Sequence, residues 1–451
     1  MAKKSRKLFL QMTKYFGTDG IRGSYGSHNM NENFAQKVGW AISHFLIQSG
    51  SSNSVVAVGS DPRPSSPALK ESLIKGLRAG GVVVKDFGII PTPALAFGVI
   101  QHGFHFGVMI TASHNPHSDN GIKCFSGIGT KLSKAQEEEI EQTIDSYSSI
   151  STASSGVETL PVLKEYLQNL KNYFSGLTLS GMRIALDSAN GATCQTSQTL
   201  LEELGATVFA IHQGGGIINE NCGSEHLEDL RNLVLENKAD LGIAHDGDGD
   251  RVRFIDPTGR IVDGDQVLGL LALDAHRSKS LSSSTFVSTV HSNSGLSEAL
   301  KEKGLKLERS DVGDRNVFLK MLEVNCNWGG ESSGHIINTD YLPTGDGLFA
   351  ALSVLLAIQN QSRDLISLTN EIKLWPLRSE SFPVSQKIPI QDVPELTQCI
   401  DREEKFLCNR GRILLRYSGT EPKVRLLVEG ASKDLVNESF DRIKLVLQKS
   451  L

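Results

Sequence analysis

The stretch Ser54–Phe87, SVVAVGSDPRPSSPALKESLIKGLRAGGVVVKDF, decides the fold class. Ser54–Gly59 is a short β-branched run and reads as a strand. Ser65–Ala79 places Leu69, Leu73, Ile74 and Leu77 at helical spacing, and Val82–Phe87 returns to a strand. The alternation continues with a helix over Pro93–Gln101 and a strand over His105–Thr111. Strands separated by helices of this length imply βαβ units and a mainly parallel sheet.

The same element order recurs along the chain. Arg183–Asp187 reads as a strand, Cys194–Leu204 as a helix, and Asp240–His245 as a strand running into a loop. It recurs again through a strand at Thr285–Val290, a helix at Gly295–Lys303 and a strand near Leu305. The tail differs: Gly411–Tyr417 and Val424–Glu429 read as two strands about a turn. Ser432 caps a final amphipathic helix with Leu435, Val436, Phe440, Ile443, Val446 and Leu447 on one side. The Ser-rich stretch 146–155 reads as a linker. The expected organisation is α/β, with three related α/β domains and a smaller C-terminal α+β domain, divided at 1–155, 156–256, 257–370 and 371–451.

At 451 residues the chain is too long for one ordinary core. Forty-six basic against 51 acidic residues leave a net charge of −5, which offers no bulk attraction to nucleic acid or to an anionic membrane. The six cysteines are scattered, without a CxxC pair or a zinc-finger spacing, and read as reduced thiols. The basic N-terminus has an apolar run too short for a signal-peptide core, and Gly347–Ile358 is too short to span a bilayer. The expected location is the cytoplasm.

Four loops carry the chemistry. Thr111-Ala-Ser-His-Asn-Pro-His-Ser-Asp-Asn-Gly-Ile-Lys123 follows a strand, at the carboxyl end where open α/β sheets bind ligands. Ser113 is a candidate nucleophile there, with His114 beside it and Lys123 further on; the same residues also suit a polar turn. Asp246-Gly-Asp-Gly-Asp-Arg251 alternates three carboxylates with glycines. Three such charges turned toward one point repel unless a hard cation joins them, and so few ligands favour Mg²⁺ over Ca²⁺. An EF-hand fails, because Arg251 stands where its glycine is needed and Pro257 where its glutamate is needed.

Gly330-Glu-Ser-Ser-Gly334 matches the letters of the G-x-S-x-G hydrolase elbow, but His335-Ile-Ile-Asn338 reads as extended where that motif needs a helix. Glu331 and Ser333 could instead bond sugar hydroxyls, with His335 as a polar neighbour. Arg416-Tyr-Ser-Gly-Thr-Glu-Pro-Lys-Val-Arg425 sets two arginines, two hydroxyls and a glycine between strands. It suits a phosphate dock, or else an ordinary charged hairpin. A further glycine-rich loop, Tyr15–Gly23, carries Arg22 but lacks the spacing of a P-loop or a dinucleotide fingerprint.

Taken together, YFGTDGIRG, TASHNPHSDNGIK, DGDGDR, GESSGH and RYSGTEP resemble the signature loops of the α-D-phosphohexomutase superfamily, in order and from Tyr15 to Arg425. The resemblance implies four domains around one central cleft. It implies a phosphoserine at Ser113, required for activity, and one Mg²⁺ held by Asp246, Asp248, Asp250 and the Ser113 phosphate. It implies Lys123 as general acid or base, with a pKa lowered for that task, and His114, Arg22 and Arg251 as charged neighbours. Glu331, Ser333 and His335 would bind the sugar; Arg416, Ser418, Gly419, Thr420 and Arg425 would hold its phosphate; Val312-Gly-Asp-Arg315 would assist.

Phe16-Gly-Thr-Asp19, Thr344-Gly-Asp-Gly347 and His291-Ser-Asn-Ser-Gly-Leu296 resemble the glucosamine-phosphate branch rather than the mannose-phosphate branch. Two departures are His291, where Met is usual, and His245, where an aromatic is expected. The branch implies interconversion of glucosamine 6-phosphate and glucosamine 1-phosphate through a 1,6-bisphosphate, feeding UDP-N-acetylglucosamine and cell-wall precursor synthesis. A glucose- or mannose-phosphate mutase, a serine hydrolase and a non-catalytic sugar-phosphate sensor are the alternatives. The partner is a small sugar phosphate, with a homodimer left open.

Overall fold

The computed structural model describes residues 14–50, 54–147, 157–408, 410–417 and 422–450. Four sheets follow one another along the chain. The first contains β1 (Ile21–Ser24), β2 (Val55–Ser60), β3 (Val83–Ile89), β4 (Phe106–Ile110), β5 (Asp119–Ser126) and β6 (Glu158–Thr159), in the order β1-β5-β4-β2-β3-β6. The pairs β4–β2, β2–β3 and β3–β6 are parallel, whereas β1–β5 and β5–β4 are antiparallel. The second contains β7 (Arg183–Asp187), β8 (Thr207–Ile211), β9 (Leu241–His245), β10 (Val252–Ile255) and β11 (Ile261–Val262), ordered β11-β10-β9-β7-β8. The third contains β12 (Thr285–Thr289), β13 (Lys306–Ser310), β14 (Trp328–Gly330), β15 (Ile336–Asn338) and β16 (Leu342–Gly345), ordered β13-β12-β14-β15-β16. The fourth, of β17 (Leu377–Pro383), β18 (Gly411–Tyr417) and β19 (Lys423–Gly430), is wholly antiparallel.

The helices Ser66–Ala79, Thr92–Gln101 and Lys433–Ser450 form where the apolar spacing predicts them. The hydroxyl of Ser432 accepts a hydrogen bond from Leu435 N, the cap expected there. β2, β4 and β9 are buried on both faces, which is why they read as unbroken apolar runs rather than alternating ones.

Two expectations need correction. The segment after Ser113 is not loop as far as Lys123: Asp119–Ser126 is β5, paired antiparallel to β4 with Lys123 opposite Met109. Its polar start hid a strand whose side chains are otherwise buried. The helix expected at Cys194–Leu204 is a 3₁₀ turn, Ala192–Gln195, followed by a shorter α-helix, Ser197–Glu203. Each of the first three sheets is mixed, parallel on one side and antiparallel on the other, because hairpins after β4, β9 and β14 extend one edge. Most of the linker at 146–155 lies outside the described residues.

The chain divides into two compact units, Met1–Val290 with Glu308–Thr369, and His291–Leu307 with Asn370–Leu451. In the second unit the helix Ser294–Glu302 is fastened to the antiparallel sheet. Ser294 N donates to Glu429 Oε1 at 3.0 Å, and Arg412 Nη2 donates to Ser292 O at 2.6 Å. Phe382, Val424, Leu426, Val428, Phe440 and Ile443 form that unit's core.

Candidate active site

The site of the first unit is built where strands end. β4 stops at Ile110; the Thr111 hydroxyl donates to Asp61 Oδ2 at 2.7 Å and accepts from Ser113 N at 2.9 Å. This bond turns the chain sharply, and Ser113 takes φ +54, a left-handed conformation few non-glycine residues adopt. The carbonyl of Ser113 accepts from Arg63 Nη2 and from Asn219 Nδ2, each at 2.7 Å. The strained backbone is thereby held from two sides.

The Ser113 hydroxyl points at the acidic turn between β9 and β10. It donates to Asp246 Oδ2 at 2.5 Å and lies 3.4 Å from His114 Nδ1. Ligand oxygens of Asp246, Asp248 and Asp250 all lie within 4.8 Å of one another, and all three residues are buried. Burial and the charges of Asp250 and Asp248 hold the Asp246 carboxyl well above the ordinary carboxylate range. Asp248 Oδ1 and Asp250 Oδ1 are buried with no hydrogen-bond partner among the described residues. Crowded carboxylate oxygens with unused lone pairs are what a hard divalent cation requires. The trio can therefore hold a metal.

Lys123, brought in by β5, donates from Nζ to Asp248 Oδ2 at 2.8 Å and Asp250 Oδ2 at 2.9 Å, and lies 3.3 Å from Asp19 Oδ2. Burial alone would lower its pKa, but Asp19, Asp248 and Asp250 raise it well above the usual lysine value. The expectation of a lowered pKa fails because carboxylates, not cations, surround the amine. Asp250 is held down to about 2: burial opposes this, and Lys123, His335 and Arg251 outweigh it.

Arg22 pairs with Asp19 and donates from Nη1 to Ala112 O at 3.2 Å. Arg251 N donates to Asp246 Oδ1 at 3.1 Å, and its guanidinium lies 3.8 Å from Glu225 and 4.0 Å from Asp250. Burial, then the Arg251 and Arg22 charges, push His114 down to about 4, although Glu225 and Asp250 oppose the shift. His335 lies 3.5 Å from Asp314 and 4.0 Å from Asp250. Glu331 accepts from Gly313 N at 3.0 Å, which ties the third loop to the segment Val312–Arg315. No helix follows Ser332; β15 does, so the hydrolase elbow is excluded by its own geometry.

Sequence reasoning missed several members. Arg63 is fully buried, bonded to Asp61, Ser113, Asn115, Pro116 and Asp119. Lys131 pairs with both Asp19 and Asp314, and Thr92 donates to Asp248 Oδ2 at 2.6 Å. The one available signal was position: Asp61-Pro-Arg63 and Thr92 each follow a parallel strand, as Ser113 does. His245 is buried and sits between Ser197 Oγ and Arg251 O, filling core space where an aromatic was expected.

In the second unit, Arg416 and Arg425 stand directly opposite each other across β18 and β19. Like charges so placed repel and invite an anion. Burial and Arg425 lower the Arg416 pKa; burial and Arg416, Arg412 and Arg425 push His291 down to about 4. Ser418, Gly419 and Thr420 lie outside the described residues.

Comparison with known proteins agrees along the whole chain. The three phosphoglucomutase/phosphomannomutase alpha/beta/alpha domain models I, II and III match residues 13–151, 164–259 and 263–374, and the C-terminal domain model matches 381–446. A protein named phosphoglucosamine mutase from Pseudoalteromonas translucida is 39% identical over 96% of this chain and 98% of its own. A crystal structure of a phosphoglucomutase/phosphomannomutase family protein from Burkholderia thailandensis superposes with a TM-score of 0.79 at 24% identity, covering 96% of this chain and 97% of that one. N-acetylphosphoglucosamine mutase of Aspergillus fumigatus, solved with GlcNAc-6P and magnesium, matches at TM-score 0.63 and 16% identity over 97% and 96% of the two chains.

Proposed function

The chain belongs to the phosphoglucosamine mutases of the α-D-phosphohexomutase superfamily, and from that premise we propose that Ser113 carries the phosphoryl group exchanged with the sugar. The enzyme is an isomerase that interconverts glucosamine 6-phosphate and glucosamine 1-phosphate. The observation that carries the role of Ser113 is its hydroxyl at 2.5 Å from Asp246, inside a trio of buried carboxylates. Asp246, Asp248, Asp250 and the phosphate on Ser113 would hold one Mg²⁺. Bound there, the ion neutralises charge on the transferring group.

The chain's own residues do the rest. A free sugar hydroxyl attacks the phosphorus on Ser113, the bond from phosphorus to Ser113 Oγ breaks, and the hydroxyl proton passes to Lys123. The product is the 1,6-bisphosphate, and the reverse step returns its other phosphate to Ser113. To act as that base Lys123 must first give up its own proton, and its ion pairs with Asp248 and Asp250 are contacts that a divalent ion on the trio would compete for. Arg22 and Arg251 offer guanidinium forks to the phosphoryl oxygens, and His114, largely neutral, adds a hydrogen bond. Glu331, Ser333 and His335 contact the sugar hydroxyls or ammonium. Arg416 and Arg425, with Ser418, Gly419 and Thr420, hold the phosphate that is not transferring.

We assign these roles to domains 1–155, 156–256, 257–370 and 371–451. The product would supply UDP-N-acetylglucosamine and cell-wall precursor synthesis, in the cytoplasm. Among the described residues no helix is long and apolar enough to cross a membrane. The test is Ser113→Ala, assayed with glucosamine 6-phosphate. Turnover should fall by at least about 10³-fold, the scale of losing a covalent-catalysis residue. Near-normal turnover would overturn the role.

A further inference from the structure

A second cluster lies in the same unit, at the carboxyl ends of β7 and β8, and the reaction above does not use it. Asp187 ends β7, His212 follows β8, and Cys222 lies in the turn that continues from His212; their ligand atoms are all within 4.8 Å of one another. We propose that Asp187, His212 and Cys222 form a second metal site, for a zinc-class ion, that clips this turn to the sheet.

The donor set decides the class of ion. Carboxylate oxygen, imidazole nitrogen and thiolate sulfur together suit Zn²⁺ and its close analogues, and a thiolate is a poor ligand for Mg²⁺. Each donor is also aimed. Asp187 is fully buried and is oriented by Ala189 N and Gly223 N, which donate to its two oxygens at 2.8 and 2.9 Å; each oxygen keeps a lone pair. His212 holds a left-handed backbone at φ +52. Its Nδ1 is buried and lies 3.0 Å from Asp187 Oδ2, so the two donors already face each other. Its Nε2 faces Asp229 Oδ2 at 3.5 Å. A histidine whose far nitrogen meets a carboxylate is the usual outer arrangement of a zinc ligand. Cys222 is buried, and Asn190 Nδ2 approaches its sulfur at 3.9 Å. On binding, its thiol proton goes to solvent, and water completes the fourth position.

The clip has a consequence for the serine loop. The same turn carries Asn219, whose Nδ2 donates to Ser113 O at 2.7 Å and Asn115 O at 3.0 Å. Fixing Cys222 to β7 fixes the support of Ser113 from behind.

The experiment uses the full chain, stripped by chelator and returned to excess Mg²⁺, then titrated with Co²⁺ as a spectroscopic substitute for zinc. The expected result is a near-ultraviolet sulfur-to-cobalt charge-transfer band that saturates at one ion per chain and is displaced by Zn²⁺. The aspartate trio contains no sulfur and cannot produce that band. Cys222→Ser should abolish it and Cys194→Ser should keep it, since Cys194 Sγ instead contacts His212 O at 3.7 Å. Asp229→Asn should keep the band but weaken affinity by about 10–100-fold, the cost of losing an outer partner. His212→Asn tolerates the left-handed backbone and should lose saturable binding. Circular dichroism checks that each variant folds. No sulfur band in the unmodified chain, or one that survives Cys222→Ser, would overturn the proposal.

Discussion

Ser113 combines a strained backbone, two donors on its carbonyl and a hydroxyl turned onto Asp246. None of these is a property of serine; the turn comes from Thr111, and the other contacts come from neighbours distant in sequence. Asp248 shows the same dependence. One of its oxygens accepts from Lys123 and Thr92, and the other has no partner among the described residues. Asp248→Asn keeps the volume but removes a charge that pairs with Lys123 and that a cation on the trio would use. We expect the Mg²⁺ concentration for half-maximal activity to rise by more than about tenfold, since even outer-shell losses reach that size. A metal titration superimposable on that of the unmodified enzyme would count against the trio as the metal site.

At the scale of elements, the helix Gly347–Gln361 shows how a motif outside the chemistry can still govern it. Asp346 caps this helix, accepting from Leu348 N and Phe349 N, and also from Tyr166 Oη. Gly347 N donates to Gly249 O at 3.0 Å, and a Cβ at Gly347 would meet Arg251 O at 2.2 Å. The helix start is thus bolted onto the acidic turn, and only glycine permits the approach. Burial lifts the Asp346 pKa from the ordinary 3.8 to about 6, against its hydrogen bonds. The sign follows from linkage. A carboxyl raised on folding costs nothing below about pH 4, and the folded state loses stability as pH rises from there through about 6. A shift of about two units corresponds to roughly 3 kcal/mol at most. Asp346→Asn still caps the helix but does not titrate, so the variant should lack this fall; thermal unfolding of the two proteins between pH 4 and 7 measures it. Parallel curves would show that Asp346 ionises as freely in the fold as in the unfolded chain.

At the scale of the molecule, the chain forms two units, each with its own core. Arg416 and Arg425 belong to the second, directly opposite each other across β18 and β19, and the proposed dock rests on them. Arg416→Ala should raise KM for the sugar phosphate by about 10–100-fold, the worth of one or two charge-assisted bonds, with a smaller effect on kcat. An unchanged KM would remove the dock from the scheme. Mass measurement of the intact chain before and after phosphatase, with the peptide mapped to Ser113, checks the resting phosphoenzyme; a chain that is active yet never phosphorylated would end the scheme. The sequence by itself determined the α/β class, the order of most elements and the loops that carry chemistry, because apolar period and turn chemistry are local. It also contained Thr344-Gly-Asp-Gly347 without its reason, the close approach of Gly347 to Gly249 and Arg251. Only the tertiary structure decided that β5 is a strand, that Arg63, Thr92 and Lys131 bond to the serine loop or its acidic neighbours, and that Lys123 is surrounded by carboxylates that raise its pKa. Arg63 reaches the serine loop from fifty residues away, and Lys123 and Thr92 meet Asp248 from more than a hundred, so packing and not local sequence sets which charges come within about 4 Å of one another.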